Sequence, residues 1–214
     1  MIPTVEDIIS ASGFHPSRVF CVYIFGSRVY GTSGPTSDWD IIMVANNSVD
    51  STELSGLKRG LYNIHVYTPK KFKEDLDWHR INNLECIFAP GWAKLKEDIK
   101  WDFKLDASKL RHSISHISSN SWVKCKKKLA QDEYYSGIKS IFHSIRIPMF
   151  GLQIANFGKI VDFAEANYIW DDITFKSLPQ YMRSKKEWTW DELDNKWRHT
   201  LNSVLTQFRK SAKI

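Results

Sequence analysis

The sequence predicts an α+β fold, with strands confined to the first hundred residues and an all-helical second half. Three observations carry this. Apolar runs rich in β-formers occur over 18–25, 38–45 and 61–68. After about residue 100 the apolar residues recur at three- and four-residue spacing instead, the period of a helix with one buried face. Hydrophobic residues make up 43% of the 214-residue chain and aromatic residues 14%, enough for a real core and too much for a disordered chain. The division falls into 1–100 and 101–214, packed around one cleft, and no repeat or low-complexity segment interrupts it.

Taken in order, Thr4-Val5-Glu6-Asp7 starts a short helix, with Thr4 as N-cap and acids in the first turn, ending near Gly13. Arg18 to Phe25 is a continuous apolar run, as expected of a strand covered on both faces. Gly26-Ser27 breaks it, Arg28 to Thr36 is a loop or short helix, and Asp38 to Ala45 is the second strand. Asn46 to Ser55 is polar and reads as a surface loop. Leu61 to Thr68 is the third strand, with Asn63, His65 and Tyr67 on one face and Tyr62, Ile64 and Val66 on the other. Pro69 opens a helix of roughly 70–80, and Leu84 to Phe88 is a further apolar piece stopped by Pro90-Gly91.

In the second half, Asp106 caps a helix to about Leu129 with Leu110, Ile114 and Ile117 on one side. A second helix spans about Glu133 to Asn156, kinked or interrupted at Pro148. Thr189-Trp190-Asp191-Glu192 is a capping box for a last helix to about Arg209, whose apolar positions are Leu193, Trp197, Leu201, Val204 and Phe208.

Composition narrows the function classes. Cys21, Cys86 and Cys125 are odd in number, far apart and set in apolar segments, which argues for core packing in a reducing, cytoplasmic setting and against disulfides. No run approaches a membrane span, and the acids and Pro3 close behind Met1 do not suit a signal peptide. The net charge of +6 favours a polyanionic substrate or partner.

The chemistry concentrates in Gly26-Ser27 and Asp38-Trp39-Asp40. Residues two apart in a strand share a face, so Asp38 and Asp40 aim at one point, and two like charges held close call for a cation. Hard divalent ions sit between carboxylates and substrate phosphates, and a Gly-Ser turn offers backbone N–H groups and a hydroxyl to a phosphate. Taken singly, each of these features reads equally as a capped surface turn.

Gly-Ser after a strand, followed by Asp-x-Asp at the head of the next, resembles the nucleotidyltransferase superfamily typified by DNA polymerase β, over roughly residues 18–68. The resemblance implies a small mixed sheet and an enzyme that moves a nucleoside monophosphate from a triphosphate to an acceptor hydroxyl, releasing pyrophosphate with two Mg²⁺ or Mn²⁺ ions. It implies Asp38 and Asp40 as catalytic metal ligands, and Gly26, Ser27, Arg28 and Ser37 around the nucleotide. It also implies a basic residue from a helix of the second domain that reaches the triphosphate. Lys139 fits that role, with Arg146 second, on a helix face they share with His143. A solvated basic face is the plainer reading.

The chain departs from the family where a third carboxylate is expected. Asn63 aligns there, His65 shares its strand face, and Glu85 lies just downstream. Asn63 can offer a metal its carbonyl but brings neither charge nor a useful base, whereas His65 carries an imidazole of the kind that ligates a metal or takes a proton. The acceptor reads as RNA or another nucleic acid, on the basic balance and on Lys124 and Lys126 to Lys128 beside Trp122. A small-molecule acceptor of the antibiotic type, a protein acceptor, and a nucleotide- or RNA-binding module with little turnover are the alternatives.

Overall fold

In the computed structural model, which describes residues 2–46, 54–183 and 186–213, the chain forms two compact units, Met1–Lys104 and Leu105–Ile214. The first is an α+β unit around a five-stranded mixed sheet. Helix α1 (Val5–Ser12) starts with a reciprocal capping box. Thr4 Oγ1 accepts from the Asp7 N–H at 3.1 Å, and Asp7 Oδ2 accepts from the Thr4 N–H at 3.0 Å. The strands are β1 (Val19–Phe25), β2 (Trp39–Ala45), β3 (Leu54–Arg59), β4 (Tyr62–Tyr67) and β5 (Lys94–Glu97), in sheet order β3-β4-β2-β1-β5. β2 and β4 run parallel, and the other neighbours are antiparallel. Helices α2 (Ser27–Tyr30), α3 (Pro69–Asp77) and α4 (Ile81–Phe88) fill the connections.

The apolar central strands are covered on both faces. On one, Val22, Ile24, Ile41, Met43, Ile64 and Val66 share a core with Ile8 and Ile9 of α1. On the other, the Tyr23 ring stacks on Phe72 of α3 at 5.9 Å, and Phe72 packs on Trp101 at 4.5 Å. The Tyr23 hydroxyl accepts from Trp101 Nε1 at 2.9 Å and donates to Glu97 at 3.1 Å, so its polar end is satisfied inside the core.

Both edge strands escape the sequence reading. Leu54–Arg59 and Lys94–Glu97 carry too few apolar residues for a clear period of two, and their lysines are the charges that blunt an exposed sheet edge. The segment expected as a surface loop, Asn46 to Ser55, falls largely outside the described residues, and its end already belongs to β3. The helix expected over 70–80 ends at Asp77, and the Leu84–Phe88 piece is part of the separate helix α4.

The second unit consists of α5 (Ala107–Leu129), α6 (Tyr134–Phe157), α7 (Asn167–Ile173), α8 (Gln180–Arg183) and α9 (Trp190–Ser211). Asp106 caps α5, and Thr189 with Glu192 forms the capping box of α9. The short helices α7 and α8 carry no long periodic stripe and were not legible. The buried stripe of α9 uses Leu205 where Val204 was expected, and that of α5 continues from Ile114 through Ser118, Trp122 and Cys125, with Ile117 at its margin.

α6 runs through Pro148 without interruption. Proline has no N–H for the Ser144 carbonyl one turn back, but the Ser118 hydroxyl of α5 donates to that carbonyl at 2.7 Å in the buried interface. Where α6 passes closest to its neighbours it carries Gly151, where a Cβ would stand 3.0 Å from both Ile114 of α5 and Phe208 of α9.

Candidate active site

The candidate site lies at one end of the central strands of the first unit. β1 ends at Phe25, and the chain turns sharply at Gly26, whose φ of 80° and ψ of −157° belong to a backbone region essentially restricted to glycine. α2 then begins at Ser27, and the chain returns through a turn in which the Ser37 Oγ accepts from the Gly34 N–H at 2.9 Å. Arg28 holds this return. Its guanidinium stacks over the Trp39 ring at 4.1 Å, donates to the Asp38 carbonyl at 3.3 Å, and donates to the Ser37 carbonyl. Asp38 is thus delivered to the head of β2 by a braced loop.

Strand register assembles the rest. Asp40 of β2 is paired with Phe25 of β1 and with Asn63 of β4, and Asn63 is paired with Lys58 of β3. These residues form one row across four strands. The Asn63 Nδ2 donates to Asp40 Oδ1 at 2.9 Å. The other oxygen, Oδ2, lies against Gly26, where an added Cβ would stand at 2.6 Å. Lys58 Nζ is 3.1 Å from Asp38 Oδ2. With the lysine 71% and the aspartate 35% exposed, this is a screened surface pair that a competing ion can displace.

The structure therefore brings together Gly26, Asp38, Asp40 and Asn63, with Arg28 and Ser37 shaping the loop between them. His65 is on the same face of β4, two residues further along, with its ring edge-on to Phe25 at 5.9 Å and beside Gly56. Glu85 is buried on α4. Among the described residues, no group of three or more His, Cys, Asp or Glu is arranged to hold a metal, so neither His65 nor Glu85 completes a triad with the aspartates. The donor set still suits Mg²⁺ or Mn²⁺, which commonly binds one or two carboxylates and completes its shell with substrate phosphates and water. The glycine at position 26, where any side chain would strike Asp40, lets that carboxylate pack against the turn.

Lys58 is the neighbour of the aspartates that the sequence did not single out. The signal was the Gly60-Leu61 turn between two extended segments, with Gly60 at φ 57°.

Lys139 and Arg146 lie on α6 in the second unit. Lys139 is half-buried, while Arg146 is only 3% exposed, its guanidinium over the Phe150 ring at 4.7 Å and its Nε donating to His143 Nδ1 at 3.3 Å. Burial, reinforced by Arg146, Lys139 and Lys124, holds His143 well below the usual imidazole range, so the ring is neutral and able to accept that bond. Trp122 is buried with its ring edge-on to Trp190, and so is no exposed stacking platform. Beside it a cleft of about 480 Å³ is lined by Lys126, Tyr134, Trp188 and Trp190, among others.

All three cysteines are buried thiols. Desolvation pushes each of them up, Cys125 to about 12, so they stay protonated. Among the described residues, no helix is long and apolar enough to cross a membrane.

Residues 8–89 match the family described as "Polymerase beta, Nucleotidyltransferase", a span that contains the whole row and its loop. No curated protein matches the sequence. Among solved structures, the chain is similar to a spectinomycin adenyltransferase from Enterococcus faecialis, solved with ATP and spectinomycin. Identity is 14%, the alignment covers 96% of this chain and 99% of that one, and the TM-score is 0.45. A nucleotidyltransferase-like protein from Exiguobacterium sibiricum is 12% identical over 98% of this chain and 76% of the other, with a TM-score of 0.34. Likenesses this distant carry no argument beyond their mention. The matched span holds the row of Gly26, Asp38, Asp40 and Asn63, and over residues 8–89 the chain is similar to the nucleotidyltransferase domain of the polymerase β type.

Proposed function

We propose that the protein is a metal-dependent nucleotidyltransferase that moves a nucleoside monophosphate from a triphosphate to an acceptor hydroxyl, with RNA or another nucleic acid as acceptor. The observation that carries this is the pair Asp38 and Asp40 at the head of β2, with the Asp40 carboxylate packed against Gly26 where no side chain could fit, inside the matched span.

In the reaction the acceptor oxygen bonds to the α-phosphorus, the bridge to the β-phosphate breaks, pyrophosphate leaves, and the hydroxyl proton passes to solvent or a base. Asp38 and Asp40 would hold Mg²⁺ or Mn²⁺, which would supply positive charge against the charge that develops on the reacting phosphate oxygens. Gly26 and Ser27 present the turn to the triphosphate, and Arg28 and Ser37 keep the Asp38 loop in register with it. The basic balance of the chain, +6 overall, supports a nucleic-acid acceptor.

Incubation with labelled nucleoside triphosphates, Mg²⁺ or Mn²⁺ and total RNA tests this reading. Label is expected in RNA and is expected to vanish in the Asp38→Ala/Asp40→Ala double variant while the fold persists. Undiminished labelling by that variant would sink the assignment. Label in the protein itself would move the acceptor to a side chain, and pyrophosphate release with label in neither would move it to a small molecule.

One observation favours a second reading. Where a third carboxylate is expected, the neutral Asn63 amide is bonded to Asp40. A nucleotide- or RNA-binding module with little turnover would retain nucleotide in the presence of metal and release no pyrophosphate.

A further inference from the structure

We propose that this site takes one divalent cation together with the nucleotide, not two, and that the Lys58 ammonium stands in for the second. The inference rests on the nucleotidyltransferase reading above and specifies its metal content. Its basis is the row across β3, β4 and β2. Lys58 is paired with Asn63, and Asn63 with Asp40, so the three project from the same face at adjacent strand positions.

Two ions held about 3.5–4 Å apart repel each other strongly and need anionic ligands on both sides. Here one side has them and the other does not. Asp38 and Asp40 remain, but the third position is an amide whose Nδ2 donates to Asp40 Oδ1 at 2.9 Å, a group without charge. Among the described residues, no other His, Cys, Asp or Glu joins the two aspartates. The neighbouring position, moreover, already carries a cation, because Lys58 Nζ stands 3.1 Å from Asp38 Oδ2.

Charge balance links these facts. Exchanging one divalent ion and one carboxylate for a single ammonium leaves the formal charge around a bound triphosphate unchanged. An amide at position 63 and a lysine on the adjacent edge strand are then complementary parts of one charge arrangement. The lysine suits the task physically: it is a compact charge on a flexible four-carbon stem, 71% exposed, free to follow the phosphates as the metal takes its place on Asp38.

Counting Mn²⁺ by electron paramagnetic resonance tests the proposal on the full chain, with the α,β-methylene analogues of the four nucleoside triphosphates supplied in turn. The wild type is expected to hold one Mn²⁺ per bound analogue, and Lys58→Ala/Asn63→Asp two. Lys58→Glu, a change at an exposed edge position, carries the same expectation of two and serves if the double variant does not fold. Two ions in the wild type would overturn the inference and leave the nucleotide reading standing. A folded double variant or Lys58→Glu variant that binds analogue with a single ion would overturn it too, since the charge at these positions would then not limit the count. Failure of the wild type to retain any analogue with Mn²⁺ would overturn the nucleotide reading itself.

Discussion

Gly26 illustrates how one residue serves two demands at the candidate site. Its backbone adopts φ 80° with ψ −157°, which an L side chain resists, and its missing Cβ leaves Asp40 Oδ2 where it is. From sequence it reads only as half of a phosphate-binding turn. The structure adds that its missing Cβ leaves room for the Asp40 carboxylate. Gly26→Ala combines the backbone cost, about 1–3 kcal/mol, with a 2.6 Å clash against Asp40. We expect a lowered denaturant midpoint together with loss of metal-dependent nucleotide retention. A variant that is as stable as the wild type and still retains nucleotide would show that the turn tolerates a side chain. The same scale explains why Asn63 mattered more than its residue type suggested. An asparagine on a strand is commonplace, but this one is bonded to Asp40 on one side and flanked by Lys58 on the other.

Among the elements, α6 is the most informative. A proline in its middle predicts a break, and no break occurs, because the carbonyl left over at Ser144 is satisfied by Ser118 from α5. The repair is tertiary and has no signature in the sequence of α6 itself. Ser118→Ala leaves that buried carbonyl without its donor and is expected to cost about 1–3 kcal/mol. Adding Pro148→Ala to the variant supplies a main-chain N–H one turn away and is expected to recover part of the loss. Chemical denaturation of both single variants and the double variant measures the coupling, and strictly additive effects would refute the repair. The edge strands β3 and β5 make the complementary point. They are held by pairing to β4 and β1, and it is this pairing that gives Lys58, Lys94 and Lys96 their positions.

For the molecule as a whole, the basic balance and the cleft of the second unit bear on the acceptor. The C-terminal turn of α5 carries Lys126, Lys127 and Lys128, of which Lys128 is paired with Glu133 at 2.6 Å, while Lys126 lines the cleft with Trp188 and Trp190. Lysines at a helix C-terminus also suit the helix dipole, so their presence is accounted for without RNA. The two explanations differ in salt dependence. If these lysines meet phosphates, the logarithm of RNA affinity falls linearly with the logarithm of salt, by about 0.7 per phosphate contact for a single strand. Lys126→Ala/Lys127→Ala is then expected to make that slope shallower by about 1.4. A slope unchanged in a filter-binding titration would return these lysines to the helix dipole.

The sequence alone determined the local features. The N-cap at Thr4, the capping box at Thr189, the continuous apolar strands Val19–Phe25 and Trp39–Ala45, and the long helices of the second half all follow from residue type and spacing within a few turns of chain. The motif Gly26-Ser27 with Asp38 and Asp40 was legible for the same reason, since its parts lie within fifteen residues. Only the tertiary structure decided what stands beside the aspartates. Lys58 and Asn63 reach them through strand register, the Ser144 carbonyl finds Ser118 across a helix interface, and Leu205 displaces Val204 from the buried face of α9. Each of these depends on where a second element sits, and periodicity along one element carries no information about its neighbour.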